Sequence, residues 1–302
     1  MERTQKKNVR ENIQTDLFAI IRMFLILSTV FLVHCSQTSN DLPTSVIIQN
    51  KIFTSTLSLV GKKYNGAIIR NCTFRDINAV NEEMLANGIE LSGASHITID
   101  SCVFINIQGN GIRLRWSGGS TTNNIIKNCR FDSIYANGIQ VTNVNSNVSI
   151  LNNQINNVGL DTISSGLGAP HHGIYSMGRG VKILNNIISH LHNRKGNCIS
   201  IRSGGNIAGN RLFNSSKFGI NYFSDHPGSS ETLLIENNEI YDTHHGGIGF
   251  TSNGNKNMHI KNVIVRFNKI TTTSSPCIHI DKNLGDVQFE IENNVCDTNA
   301  PS

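Results

Sequence analysis

Side chains suited to proton transfer and to anion binding lie in the middle of the chain. Tyr175, His171, His172 and Lys195 can each give up or accept a proton. Arg202 follows closely and can balance negative charge on a bound ligand. We take these five as candidate catalytic residues. Six further polar residues are candidates for holding a ligand: Arg113, Arg115, Gln140, His192, Arg194 and Asn221.

These residues also have ordinary structural explanations, so their grouping in space decides their role. Tyrosine is a good strand former, and exposed arginines often serve only solubility. Loop histidines and polar turns are commonly inert. The grouping depends on the elements that carry them, and those elements follow from a repeat.

The repeat consists of Ile or Val, then Cys or Asn three residues later, then an apolar residue two further on. It recurs nine times, from Ile69, Cys72 and Phe74 to Ile291, Asn294 and Cys296, with a period of about 28 residues. A composition of 38% hydrophobic and 16% charged residues supplies an ordinary compact core poorly and excludes a highly charged disordered tail. Self-similarity at this period predicts a solenoid.

A second pattern accompanies every repeat except the last. It is a Gly- or Cys-led segment with alternating apolar residues, from Gly88–Leu91 to Cys277–Ile280. Two short strands per repeat without a helical period indicate an all-β fold, a single-stranded parallel β-helix of about nine coils over residues 46–302. Leucine-rich repeats would need a Leu scaffold, and propeller blades would need longer repeats.

Strands of successive coils pair at about 4.8 Å, so equivalent residues stack along the axis. An asparagine ladder is predicted at Asn153, Asn186, Asn210, Asn238, Asn268 and Asn294. Cys72, Cys102 and Cys129 occupy the same position in earlier coils and are interpreted as small interior side chains. Cys198, Cys277 and Cys296 also sit in repeat positions, with disulfides or metal binding as alternatives.

Departures from the repeat indicate where a ligand would bind. The largest insertion covers residues 159–172, and residues 192–195 follow in the next coil. Insertions in a solenoid go to loops, often on the binding face. Residues between the inward aliphatics should project outward in two columns. The first column is Glu90, Arg113, Gln140, Tyr175, Ser200, Asn221, Gly249 and His279, and the second is Ser92, Arg115, Thr142, Met177, Arg202, Phe223, Thr251 and Asp281.

Over residues 45–298 this repeat resembles the right-handed parallel β-helices of the pectate-lyase-like superfamily. That superfamily includes polysaccharide lyases, uronan epimerases, some glycosidases and non-catalytic surface proteins. The resemblance, with the general hand of parallel crossovers, implies a right-handed helix. It also implies a sugar chain bound along the strand face. Tyr175 and Arg202 should lie about 8 Å apart between Cα atoms, a gap that a sugar ring can bridge.

The resemblance and the cationic face together favour an acidic polysaccharide as partner. A uronate lyase or epimerase needs a cation to neutralise the carboxylate, a base for the C5 proton and an acid. We expect an exported protein that performs β-elimination or C5 epimerisation. The alternative is a non-catalytic carbohydrate-binding or surface adhesion protein. Glycoside hydrolysis is less favoured because Asp161, Asp225 and Asp242, the available carboxylates, do not lie on the outward columns.

No cofactor and no metal site are predicted. The pairs His171–His172 and His244–His245 should be three coils apart, about 14 Å, which disfavours a shared zinc ion. Calcium stays open because some members of the superfamily use it, although no dense Asp/Glu cluster is evident. The formal net charge is +5, too small for a nucleic-acid-binding field. We expect a monomer that meets a membrane only through its N-terminus.

Residues 1–35 predict an export signal. Basic residues precede Met23–Val33, an apolar run of signal-peptide length that is too short to span a bilayer. The run leads into Leu32–Cys35, a segment that resembles a bacterial lipoprotein box, although His34 replaces the usual small residue. Lipidation of Cys35, plain signal cleavage and an uncleaved anchor all remain open. Residues 36–45 are interpreted as a tether, and the predicted location is outside the cytoplasm: secreted, periplasmic or at the cell surface.

Overall fold

The computed structural model describes residues 46–78, 86–160, 170–224, 232–252, 260–272, 276–282 and 284–298. In this part of the chain, parallel strands wind into three long sheets, so the predicted all-β parallel β-helix is confirmed. The predicted signal segment, Cys35 and the tether lie outside the described residues. No helix in the described part is long and apolar enough to cross a membrane.

Each sheet takes one strand from every coil. Sheet 1 consists of Ile47–Gln49, Ile68–Arg70, Thr98–Asp100, Ile125–Lys127, Ser149–Leu151, Val181–Leu184, Gly205–Ala208, Leu233–Glu236, Asn262–Arg266 and Gln288–Glu292. Sheet 2 consists of Ile52–Phe53, Thr73–Ile77, Val103–Ile107, Arg130–Ile134, Gln154–Val158, Ile187–Leu191, Arg211–Ser215, Glu239–Thr243, Lys269–Thr272 and Val295–Thr298. Sheet 3 consists of Leu57–Val60, Ile89–Ser92, Ile112–Leu114, Ile139–Val141, Ile174–Ser176, Ile199–Ile201, Phe218–Ser224, Gly246–Ser252 and Ile278–Ile280.

Two minor elements complete the described structure. Thr121–Thr122 pairs with Asn145–Ser146 in a two-stranded sheet. A 3-10 turn spans Lys62–Tyr64. The coil count differs slightly from the predicted nine, because Ile47–Gln49 and Ile52–Phe53 add a coil before the first sequence repeat.

The prediction of two strands per repeat was wrong, because the first motif turns a corner between sheets 1 and 2. The residue just before the Cys/Asn position adopts a left-handed conformation, with φ of 53° at Asn71, 55° at Asn128 and 55° at Asn237. Asparagine tolerates this conformation better than most residues. The frequent Asn-Asn pairs of the sequence are therefore corner signals that divide one apparent strand into two.

The predicted asparagine ladder is confirmed. Asn186 Nδ2 donates to Asn210 Oδ1 at 3.0 Å, and Asn210 Nδ2 donates to Asn238 Oδ1 at 2.9 Å. Each of these oxygens also accepts the backbone N–H of the preceding ladder residue. The buried amides are thus satisfied without solvent, which removes the main cost of placing polar groups in the interior.

The bore is filled by stacked apolar side chains. Four phenylalanines stack on one another along the axis, Phe53, Phe74, Phe104 and Phe131, with ring centroids 4.6–4.8 Å apart. Cys72, Cys102 and Cys129 are free and buried, as the ladder position predicted. Cys198 is also free and buried, and burial raises the pKa of its thiol to about 12.

Of the readings open for Cys277 and Cys296, the interior side chain favoured by their repeat positions was wrong, because the two cysteines form a disulfide with Cα atoms 6.0 Å apart. In most earlier coils the same two positions hold a glycine at or just before the start of a sheet 3 strand and an apolar residue of sheet 2 that faces it. A Cβ on Gly111 would lie 2.6 Å from the Phe131 ring, and one on Gly247 would clash with Ile270. The two positions are therefore adjacent across the bore, and in the last coil both are cysteine.

Candidate functional site

A cleft of about 560 Å³ opens on the outer face of sheet 3, across the middle coils of the stack. Its floor follows the outward column predicted from the sequence, since Tyr175 pairs in register with Ser200 and Ser200 with Asn221. The second outward column adds Arg202, Phe223 and Thr251. The turns before the strands add His172, Lys195, Asn197 and Lys217, and Phe218 begins the strand that carries Asn221.

Arg202 is held between two aromatic rings. Its guanidinium carbon lies 5.0 Å from the ring centroid of Tyr175 and 4.8 Å from that of Phe223, one coil to each side. Nη1 donates to Ser200 Oγ at 2.7 Å. The expectation of an exposed Arg202 was therefore wrong, since only 5% of the residue is accessible. A sugar ring between Tyr175 and Arg202 is likewise excluded, because the two side chains are in contact.

His172 takes the place of an asparagine in a second, shorter ladder. Its backbone N–H donates to Asn137 Oδ1 at 2.8 Å, and its Nδ1 accepts the backbone N–H of Asn197 at 3.0 Å. Because a backbone amide can only donate, the ring proton must be on Nε2. Burial holds the pKa of His172 well below its usual value, and the charges of Arg202, His171 and Lys217 lower it further. His172 is thus a neutral imidazole that presents an N–H donor.

Tyr175 connects the histidine to the arginine. Its half-buried ring stacks on that of His172 at a centroid distance of 5.4 Å and lies beneath the Arg202 guanidinium. A phenol in this position, next to a cation and a neutral N–H donor, can exchange a proton with a bound ligand.

Lys195, Arg202 and Lys217 make the cleft electropositive. None of its described lining residues is acidic. The influence of Lys217 is visible outside the cleft as well, because the pKa of His245 is lowered by burial and then by the charge of Lys217. The arrangement suits a ligand that carries negative charge.

The structure brings together four of the five predicted catalytic residues: His172, Tyr175, Lys195 and Arg202. The fifth, His171, is buried, with 7% of its surface accessible, and is not among the described lining residues. Most of the inserted segment 159–172 lies outside the described residues. Asn221 is the one predicted binding residue in the described lining.

The other predicted binding residues lie elsewhere. Arg115 Nη1 forms an ion pair with Glu90 Oε1 at 2.6 Å. Gln140 and Arg113 occupy the same outward column as Tyr175, at one coil and two coils from it, respectively. On the turn after sheet 2, His192 and Arg194 are exposed, and His192 Nε2 lies 3.1 Å from Asn157 Oδ1.

The carboxylates considered for hydrolysis do not form a described site. Asp161 and Asp225 lie outside the described residues, and Asp242 lies on sheet 2, away from the cleft. No group of three or more His, Cys, Asp or Glu side chains that can hold a metal ion occurs within the described ranges.

Sequence reasoning missed Lys217 and did not select Phe218 or Phe223. Lys217 lies three residues before Ile220, as His171 lies three residues before Ile174, and these isoleucines align along sheet 3 through Ile199. The turn before each sheet 3 strand is therefore a third repeated position. A comparison of the charged residues at this position along the repeats could have identified Lys217.

About half of the chain matches a known protein family. The family model described as right handed beta helix region matches residues 30–186, about half of the chain. The chain belongs to the right-handed β-helix family. This confirms the resemblance and the right-handedness that the resemblance implied. No curated protein sequence matches this β-helix protein.

Solved structures share the fold of this β-helix protein. PfbA, a surface protein and adhesin of Streptococcus pneumoniae, is 13% identical, with a TM-score of 0.60 over 85% of this chain and 78% of that chain. The A-module of the mannuronan C-5 epimerase AlgE6 of Azotobacter vinelandii is 11% identical, with a TM-score of 0.46 over 86% and 80%. The catalytic domain of a GH87 α-1,3-glucanase is 14% identical, with a TM-score of 0.48 over 82% and 58%. At such identities the likeness concerns the fold alone.

Proposed function

We propose that this protein binds an acidic polysaccharide in the sheet 3 cleft and acts on its uronate residues by β-elimination or C5 epimerisation. The supporting observation is that a tyrosine, a neutral histidine donor and three cations line one cleft. These are the groups that chemistry at a carbon next to a carboxylate requires.

The cations and His172 act on the carboxylate. Removal of the C5 proton shifts negative charge onto the carboxylate oxygens, so a group that stabilises this charge lowers the barrier. Lys217 and Arg202 supply positive charge, and the Nε2–H of His172 supplies a hydrogen bond. A neutral donor matches the charge that develops in the transition state without binding the ground state as strongly as a cation does.

Tyr175 transfers the proton in this proposal, with Lys195 as the second candidate. In β-elimination the base takes the C5 proton, a C4–C5 double bond forms, and the C4–O bond breaks as the leaving oxygen takes up a proton. In epimerisation a proton is instead returned to C5 from the opposite face of the ring. His172 does not take the C5 proton through Nε2, because that atom already carries one.

A second candidate function is non-catalytic binding of the same polysaccharide. The observation that favours it is the fixed tautomer of His172, since Nδ1 is engaged by the backbone of Asn197. Among the described lining residues, only Tyr175 and Lys195 then remain for proton exchange. A surface or adhesion protein would need the charge of the cleft and not its proton chemistry.

A direct assay separates the two functions. The purified protein is incubated with a panel of polyuronates while the ultraviolet absorbance of the unsaturated product and hydrogen–deuterium exchange at C5 are followed. We expect Tyr175→Phe to lower the rate by at least about 100-fold with little change in binding. Lys217→Ala should weaken binding, whereas Lys182→Ala, an exposed lysine of sheet 1, should not.

Unchanged activity in both Tyr175→Phe and Lys217→Ala would contradict the proposed site. Binding without product or exchange on any polyuronate would establish the second candidate. Failure to bind any polyuronate would contradict both.

Export is part of the proposal. It is supported by the Cys277–Cys296 disulfide, since such bonds persist in oxidising compartments. Fractionation of cells that express the full chain should find it outside the cytoplasm. Labelling with a radioactive fatty acid that disappears in Cys35→Ser would indicate a lipid anchor, and absence of label on an exported chain would indicate plain signal cleavage or an uncleaved anchor.

A further inference from the structure

Trp116, the one tryptophan of the chain, is 65% exposed. Large aromatic side chains in a soluble protein ordinarily bury most of their surface, so an exposed indole commonly marks a contact surface. Trp116 follows the sheet 3 strand Ile112–Leu114 and therefore lies beside the face that carries the cleft.

The loop that carries Trp116 is fixed to the coil before it. Ser92 Oγ donates to the carbonyl of Ser117. Gly93 and Gly118 both have positive φ, 64° and 93°. A side chain on Gly93 would collide with the Gly118 carbonyl. The exposed position of Trp116 is thus determined by packing of the loop.

A cation accompanies the indole. Arg113 lies on the strand Ile112–Leu114, three residues before Trp116. It is half-buried, and its Nε is buried without a hydrogen-bond partner in the described structure. Arg115 is engaged by Glu90. Arg113 is in register with Gln140 and through it with Tyr175, so it is two coil spacings, about 10 Å, from the cleft.

We propose that Trp116 and Arg113 form a second sugar-binding subsite, so that the ligand is a chain running along the solenoid axis from the cleft to Trp116. This rests on the proposed function for the acidic nature of the ligand. An aromatic face packs against the C–H face of a pyranose ring. A guanidinium binds a carboxylate on a neighbouring ring. One pyranose is about as long as one coil spacing, so successive sugars and successive coils stay in step.

The single tryptophan makes the test direct. Oligouronates of increasing length are titrated into the full-length protein while tryptophan emission is recorded and affinity is measured in parallel by calorimetry. We expect short oligomers to bind without changing the emission and longer ones to shift it to the blue. Trp116→Ala should weaken binding of the long oligomers by roughly fivefold to tenfold and leave short oligomers unaffected. Trp116→Phe should retain part of the difference.

One control variant and one further variant of the subsite complete the test. Phe267→Ala removes an aromatic that is 50% exposed on the turn between sheets 1 and 2, and it should bind long oligomers as wild type does. Arg113→Gln should weaken long oligomers more than short ones. The Arg113→Gln substitution also removes a charge that salt would screen. The affinity of this variant for long oligouronates should therefore depend less on ionic strength than that of wild type.

Two results together would overturn the second subsite and leave the cleft proposal intact. The tryptophan emission of the wild-type protein would not change when long oligouronates bind, and Trp116→Ala would bind them with unchanged affinity. Failure of every oligouronate to bind would overturn the proposed function and the extended ligand together. An emission shift on vesicles of anionic lipid, with none on sugars, would assign Trp116 to a membrane contact and overturn the subsite.

Discussion

The backbone N–H of Asn197 donates to Nδ1 of His172 at a position where the neighbouring coils use an asparagine oxygen. Asn137 Nδ2 donates to Asn110 Oδ1 at 2.9 Å, and the backbone N–H of Phe218 donates to Asn197 Oδ1 at 3.0 Å. His172 therefore keeps the ladder continuous while its imidazole replaces an amide. A structural ladder thus fixes the protonation state of a residue in the cleft.

The first prediction concerns the pH dependence of stability. The folded protein holds His172 neutral, whereas the unfolded chain takes up a proton below the usual histidine pKa of about 6.5. The free energy of unfolding should therefore fall as the pH drops through that value. His172→Asn should keep the ladder and show a smaller fall, measured by urea denaturation near pH 7.5 and near pH 5.

The control for this measurement is His96→Asn. His96 is exposed and has φ of 60°, which suits asparagine, so its pH dependence should match that of wild type. An equal slope in His172→Asn and wild type would contradict a neutral, buried imidazole. Histidine ¹⁵N NMR spectra provide a second readout, with an unprotonated Nδ1 expected for His172.

The second prediction concerns the asparagine ladder. Asn210→Ala removes the acceptor for Asn186 and the donors to the carbonyls of Ile183 and Ala208. We expect a loss of about 3 kcal/mol in the free energy of unfolding, because buried polar groups are left without partners. Asn210→Cys should lose less, since Cys129 fills the same position and its backbone N–H bonds to Asn153 Oδ1. No measurable loss in Asn210→Ala would contradict a stabilising ladder, whereas equal losses in both variants would show that a thiol does not substitute for the amide.

The third prediction concerns the planar stacking of Arg202. Arg202→Lys keeps the charge but cannot lie flat between the rings of Tyr175 and Phe223. Affinity for acidic oligosaccharides should fall about tenfold by calorimetry. The matched control is Arg211→Lys on sheet 2, whose guanidinium also lies over two rings, those of Phe213 and Tyr241. A similar loss in both variants would point to a general effect of charge or stability.

The fourth prediction concerns cysteine reactivity. Native alkylation near pH 7 should leave Cys198 unlabelled, because it is buried and its thiol pKa is about 12. Cys277 and Cys296 should appear as one linked peptide by mass spectrometry. Reduction should label both and lower the melting temperature, since the bond closes a 19-residue loop and such a crosslink contributes about 3 kcal/mol. Labelling of Cys198 at the rate of denatured protein would contradict this assignment.

The direction in which a side chain faces could be predicted from the sequence, because a solenoid makes it periodic. Tyr175 faces outward in register with Ser200, as the alternation of aliphatics required. The burial of Arg202 could not be predicted in the same way. It depends on two rings from the coils on either side leaning over the guanidinium, and side-chain direction along the axis has no signature in the repeat.

The missed features differ in how much signal the sequence held. The corner between sheets 1 and 2 was readable from left-handed residues such as Asn71 and Asn128, but the alternation around them looks like one continuous strand. The disulfide left a signal in the sequence, because two positions of the repeat change together. Cys277 replaces the usual glycine, and Cys296 replaces the apolar residue that faces it. The distance between those positions becomes evident only once the bore is built and Gly111 is seen against Phe131.

The asparagine ladder has a consequence for how this protein can change in size. Every rung presents the same donors and acceptors to the rung before and after it, so whole coils are interchangeable units. Duplication or deletion of one full turn would leave the hydrogen-bonding continuous, whereas a gain of a few residues has to be expelled into a surface loop. The length of the sheet 3 face can therefore evolve in discrete steps, one coil at a time.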